Sequence, residues 1–287
     1  MIRAALVLSF LPVACSVEAT STSSDVARQA VQAALSLAAD GPDSKEESLL
    51  EAYRLVEEHP PAETFPLLVD ALEDHPRAAV HLLGMLPWDH PEPAFGPLRR
   101  LLVDHGPPLR ADHGDTLLHV SVPVDRGVVR GESAMTLACL GDAESYDELL
   151  EQAQKDPHPQ ARWGAVWALG ELGRAEAIEP LKALAKTLPP DQDSNMWAFF
   201  EIAIERLEFL RDQAGEDAET VMAAQAVWRI AGSSENQVKR IEPALSSLRA
   251  LEPTVRTRRL EAWSADGSRP TISSASNWAR KRLESPR

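Results

Sequence analysis

The sequence predicts an all-α fold, an α-α superhelix in which about five to six helical hairpins stack into a solenoid. Two observations carry this prediction. Residues 156–188, DPHPQARWGAVWALGELGRAEAIEPLKALAKTL, read as two helices joined at a glycine, and the segment before them repeats the plan at a shift of 32 residues. At that shift Arg162 falls on Arg130, Leu169 on Leu137, Leu172 on Leu140, Gly173 on Gly141, Ala175 on Ala143, Ile178 on Tyr146 and Leu181 on Leu149. Parts of the unit also return farther away. Ile178-Glu179-Pro180-Leu181 is echoed by Phe95-Gly96-Pro97-Leu98, by Ile241-Glu242-Pro243-Ala244 and loosely by Thr64-Phe65-Pro66-Leu67, and Ala165-Val166-Trp167 by Ala226-Val227-Trp228.

In chain order, Met1-Ile2-Arg3 and the apolar run Ala4–Ala14 have the arrangement of a secretory signal. The run is too short, and too broken by Ser9 and Pro12, to span a bilayer as a helix. Val13-Ala14-Cys15-Ser16 and the polar stretch Thr20–Ser24 then resemble a bacterial lipoprotein signal, which implies that Cys15 is lipidated as the first residue of the mature chain. Pro12 departs from that pattern, where Leu is expected. Cleavage after Val17-Glu18-Ala19 is the alternative and gives a soluble periplasmic or secreted protein. Residues 1–24 are therefore a signal and tether.

The spacing of Val26, Ala30, Ala33, Ala34 and Leu37 predicts a helix over 25–39, ended by Gly41-Pro42. Ser44-Lys45-Glu46-Glu47 has capping-box spacing for the next helix, to about Glu58. In the strongest unit, Ala165, Val166, Ala168, Leu169 and Leu172 form one apolar stripe, and Gly173 supplies the left-handed residue that stops the helix. Gly170 lets a neighbouring backbone come close. Ile178, Leu181, Leu184 and Ala185 form the facing stripe, with Pro180 near the helix start where its missing N–H costs least. A longer helix is expected over 196–211, then 220–231 and 235–248 close the array, which spans 25–250.

The pattern charged-Pro-x-x-Arg-x-x-Ala-x-x-Ala-Leu-Gly-x-Leu-Gly followed by Ala-Ile-x-Pro-Leu is similar to the HEAT repeats of the phycobilisome-lyase type. The match is close over 156–187, fair over 127–155 and 75–104, and weak over 45–74 and 190–250. The resemblance implies a solenoid that binds other proteins. Family members that act as enzymes attach bilins, but the shared repeat is scaffold and transfers no catalytic residue to this chain.

Two segments break the repeat. Within an insertion near 105–127, Leu118, Val120, Val122 and Val124 alternate with His119, Ser121 and Pro123, which predicts a small extended or β element. Residues 251–287 form a basic extension, with Ser268–Ser276 as a flexible link. From Glu252 onward the chain has eight basic and four acidic residues, against 21 and 40 elsewhere, an asymmetry that suits docking on the acidic body itself, on an anionic lipid surface or on a partner.

The net charge of −15 argues against a nucleic-acid backbone as the main partner. Walker, Gly-x-Gly-x-x-Gly, Gly-x-Ser-x-Gly, His-Glu-x-x-His and Cys-x-x-Cys motifs are absent, so the sequence points to no enzyme, no cofactor and no small-molecule substrate. His105, Asp112, His113, Asp115 and His119 lack a strong ligand spacing, and no metal site is expected from them. Cys139 sits on an apolar helix face and reads as an inert thiol. The periodic Trp163, Trp167 and Trp228 read as packing residues.

The expected function is a non-enzymatic protein-binding scaffold of the bacterial cell envelope, held to a membrane through Cys15 and facing the periplasm. The row of second helices offers Glu144, Asp147, Glu148, Glu151, Glu179 and Lys182, a mainly acidic strip suited to a basic segment of a protein partner. Trp88, in a turn, is the expected exposed aromatic contact. A lyase-like or other accessory enzyme that holds a protein substrate on the solenoid is the alternative.

Overall fold

The computed structural model describes residues 23–39, 44–106, 109–110, 123–187, 194–233 and 238–284. Among them run fourteen α-helices: α1 (Ser23–Leu37), α2 (Glu46–Glu57), α3 (Pro61–Asp70), α4 (Pro76–Met85), α5 (Glu92–Leu102), α6 (Arg126–Cys139), α7 (Tyr146–Lys155), α8 (Pro159–Glu171), α9 (Ile178–Thr187), α10 (Ser194–Gln213), α11 (Ala218–Ala231), α12 (Val238–Ala250), α13 (Pro253–Ser264) and α14 (Pro270–Glu284). The architecture is the all-α solenoid that the repeat predicts. Helices α4, α6, α8, α10 and α11 pack in sequence as one row, and α5, α7 and α9 lie on α6, α8 and α10 as a second. Helices this short are marginal alone, so the rows stabilise each other.

The closest approach lies between α6 and α8. A Cβ on Gly164 would sit 2.2 Å from the Gly131 carbonyl oxygen, and one on Gly131 would sit 2.4 Å from that of Gln160. The two backbones therefore touch where their glycines cross. Gly170 acts in the same way toward α10, where an added Cβ would meet Ala203 Cβ at 2.9 Å. The turns follow the repeat as well: Gly141 and Gly173, one unit apart, have φ of 82° and 69°. At the first of them Asp142 N–H donates to Leu137 O at 3.0 Å and Gly141 N–H to Ala138 O at 3.1 Å, the paired bonds that close a helix on a left-handed residue.

Charged staples run between the rungs. Arg130 forks onto Asp156, with Nε to Oδ2 at 2.7 Å and Nη2 to Oδ1 at 2.8 Å, both side chains being buried. Its Nη1 donates to Asp104 O at 2.9 Å, and one unit later Arg162 Nη1 donates to Asp156 O at 2.8 Å. The arginines that align at the repeat shift thus reach back to the aspartate that closes the preceding second helix. Arg206 on α10 is buried and joins three helices: Nη2 donates to Glu171 Oε2 at 2.8 Å on α8, and Nε to Trp228 O at 3.1 Å on α11. The periodic tryptophans are packing residues, since Trp167 and Trp228 are buried and Trp163 stacks on Phe199 at 6.3 Å.

Two expectations need correction, the cap of α2 and the flexible link, and the small β insertion is met where it is described. Ser44 does not cap α2: Lys45 holds that position, and the Ser44 hydroxyl is buried without a partner. The insertion shows strand pairing only at its ends, where Leu109–Arg110 (β1) pairs antiparallel with Pro123–Val124 (β2), and residues 111–122 lie outside the described residues. The basic end docks on the body, and 268–276 is no flexible link, since most of it belongs to α14. Helices α13 and α14 share a core with α11 and α12 through Leu260, Trp263, Ile272, Ala275 and Ala279. Arg259 reaches Asp217 at 3.3 Å and Arg269 pairs with Asp212, so the positive end is tied to the acidic body. No helix among the described residues is long and apolar enough to cross a membrane.

A buried pair between α2 and α4 makes stability depend on pH. Tyr53 Oη lies 2.6 Å from His81 Nε2. Burial, reinforced by the charge of Arg77, lowers the His81 pKa from 6.5 to about 4. The unfolded chain binds this proton as pH falls below 6.5 and the folded chain does not until about 4. Stability is therefore complete above 6.5 and is lost through that window, by on the order of 2–3 kcal/mol. Urea unfolding of wild type and His81→Gln at pH 7 and pH 4.5 checks this: the variant should lose less, and an equal loss would assign the effect elsewhere.

Candidate partner-binding face

Helix α7, YDELLEQAQK, is amphipathic. Leu149, Gln152 and Ala153 turn inward, and Asp147, Glu148 and Glu151 stay exposed. Asp147 and Glu148 occupy its first turn, where carboxylates are favoured by the unpaired N–H groups and the helix dipole. The Leu149–Gln152–Ala153 spacing fixes which side faces solvent, so the helix presents its acids as a row.

The expected strip is only partly available. Glu144 precedes α7, with its side chain exposed, and accepts from Arg99 Nη2 at 3.2 Å. That guanidinium also forks onto the buried Asp142, and its bonds to Asp142 raise its pKa further. Glu151 accepts from Lys155 at 3.0 Å. Asp147 and Glu148 make no ion pair among the described residues. On α9, Glu179 is exposed, but Lys182 is held 2.7 Å from Glu208 of α10 and 3.5 Å from Glu179. Its hydrogen bond to Glu208 is the main cause of a raised pKa, and its role is to join α9 to α10. The structure thus brings Glu144, Asp147, Glu148 and Glu151 together on one rung and places Lys182 in ion pairs with Glu179 and Glu208.

Trp88 is also not the free contact expected of it. The ring is half-buried against Phe65, with centroids 4.9 Å apart, and its Nε1–H donates to Leu83 O at 2.9 Å. Its outer edge lines a groove of about 570 Å³ at the ends of α4, α6, α8 and α11, with Leu140, Leu172 and Trp228 beside it. Cys139, half-buried, lines the same groove. Cys15, Asp112, His113, Asp115 and His119 lie outside the described residues. Among the described residues no group of three or more His, Cys, Asp or Glu could hold a metal ion.

Sequence reasoning missed a second opening, a cleft of about 190 Å³ between the end of α5 and the outer side of α7. Glu148, Glu151 and Lys155 stand on α7 beside it, and Gln152 and Asp156 complete that wall. Burial pushes the Asp156 carboxyl up, but the Arg130 fork and the His158 N–H outweigh it and hold the pKa below the usual range. Asp156 is therefore a committed structural anion. The signal for the cleft was a glutamine at a core position of α7.

The family of HEAT repeats matches residues 124–194, which cover α6 to α9. No curated protein matches the chain. The crossed glycines, the left-handed turns one unit apart and this match agree: residues 124–194 are similar to HEAT repeats and lie within an all-α solenoid.

Proposed function

We propose that the protein is a non-enzymatic binding scaffold that takes a basic segment of a partner protein on α7. The similarity to HEAT repeats supports a protein-binding role in general, and the observation that carries the finer reading is the exposed Asp147–Glu148 pair, which makes no ion pair among the described residues. The chain's net charge of −15 extends the attraction beyond contact distance and favours fast encounter with a cation-rich segment at low salt. Rim carboxylates act on encounter and selection more than on final affinity.

Double replacement Glu148→Lys and Glu151→Lys is expected to abolish retention of the partner on a column of the purified mature chain at low salt, with the circular dichroism melt moved by less than about 1 kcal/mol in equivalent stability. Undiminished retention removes the strip. Raising the salt should weaken retention by wild type.

The proposed place is the cell envelope, with a lipid anchor on Cys15 facing the periplasm. The order of basic start, apolar run, cysteine and polar tether supports it. Mass spectrometry of the mature N-terminus should find Cys15 carrying lipid. A start at Thr20 would give a soluble exported protein, and an intact Met1 would end the export reading.

A further inference from the structure

Gln152 is misplaced for a residue that only packs. It stands three residues after Leu149, and the same position after Leu98 on α5 and after Leu181 on α9 is leucine, Leu101 and Leu184. Both leucines pack against the core. On α7 the position carries a glutamine that is 7 % exposed, and its Oε1 and Nε2 are both closed to solvent and without a hydrogen-bond partner. An unmet buried amide costs stability that leucine would avoid.

The amide also has a place to act. Gln152 lines the 190 Å³ cleft between α5 and α7, beside the exposed Glu148 and Glu151. Across the cleft stand His105 and Val103, the latter 60 % exposed. A carboxamide offers one acceptor and one donor side, and the N–H and C=O of a single residue in an extended chain offer the complementary pair. A lone guanidinium or ammonium would satisfy the oxygen and leave the NH2 group unmet.

We propose that this cleft is the peptide-reading subsite of the acidic strip. The main-chain N–H and C=O of one residue of the partner's basic segment, side by side on the edge of an extended chain, donate to Gln152 Oε1 and accept from Nε2–H. The flanking basic side chain lies against Glu148 and Glu151, whose exposed side chains swing aside to admit it. The inference rests on the scaffold reading of α7 and adds what that reading lacks, a register on the partner's backbone.

The test uses the full mature chain and the peptide acetyl-Ala-Ala-Arg-Ala-Arg-Ala-amide, with a series N-methylated at one peptide nitrogen at a time. Gln152→Leu should keep or raise the melting temperature, since it restores the residue of the neighbouring rungs, and should weaken peptide binding about tenfold, the worth of two hydrogen bonds. One N-methylation should weaken binding to wild type to a similar extent and have no further effect on Gln152→Leu. The side-chain amide resonances of Gln152 should shift on titration. Equal affinity of wild type and Gln152→Leu, with binding lost in the Glu148→Lys and Glu151→Lys variant, overturns the subsite and leaves the acidic strip standing. Binding unchanged in both variants overturns the two together. A wild-type chain that holds a basic folded protein through α7 but none of the peptides overturns the subsite alone.

Discussion

Gly164→Leu is expected to prevent accumulation of folded protein. An added Cβ at this position would lie 2.2 Å from Gly131 O and 2.5 Å from Gly131 Cα, and these are backbone atoms that no rotamer change can move. To admit even the Cβ, α6 and α8 must separate by roughly 1 Å, and the rest of a leucine demands more. That breaks the packing of Ala134, Leu137, Ala165 and Ala168, all within the larger core. Overpacking in a core with room to adjust costs about 1–3 kcal/mol. Here the obstruction is main chain in the middle of an array whose rungs depend on one another, so the loss reaches a large part of the total stability of a typical domain. Soluble yield and the far-ultraviolet melt measure it, and Gly215→Ala, with nothing within 4 Å of the new Cβ, is the control that should behave as wild type. A Gly164→Leu protein that melts within a few degrees of wild type would show that the helices do not cross as described.

Arg206→Met should be the second large effect, about 3–5 kcal/mol. The change removes a cation from beside the buried Glu171 carboxylate and takes the donor from Trp228 O. It also removes the guanidinium stacked over the Trp228 ring, 4.8 Å from its centroid. Breaking such a pair costs more than replacing it whole, because a buried charge loses its compensation. The double variant Arg206→Met with Glu171→Met should therefore be more stable than Arg206→Met alone. Denaturant unfolding of the four proteins of this cycle decides: if the two single losses simply add, the side chains are not coupled.

How much could be read from residues alone follows the physics of each signal. The shift of 32 residues showed the stacked hairpins and placed Gly141 and Gly173 at the turns, because a positive φ restricts the residue type locally. Gly170 was legible for the same reason, as glycine in a helix is costly unless something needs the space. Arg206 was not, because its burial depends on Glu171 and Trp228, 35 and 22 residues away, and a lone arginine in a long helix looks solvated. The basic end misled through its composition. Its apolar positions are sparse, and small residues such as Ala275 and Ala279 bury a helix without a strong stripe. Lys182 was put on the binding face because helical spacing gives direction and does not reveal a Glu208 on the next helix. Gln152 could have been found by laying the three second helices in register, where it stands against two leucines.

Helix α10 belongs to two cores. Phe200, Ala203 and Leu207 lie in the cluster that begins in α1, whereas Phe209, two residues on, lies in the cluster that ends in α14. A single rod thus serves as the last plank of one structure and the first of the next, with Arg206 pinning it where they join. Unfolding that starts in α14 is expected to meet that seam before it reaches the rungs that carry the acids, and amide exchange slower on α7 than on α13 would show it.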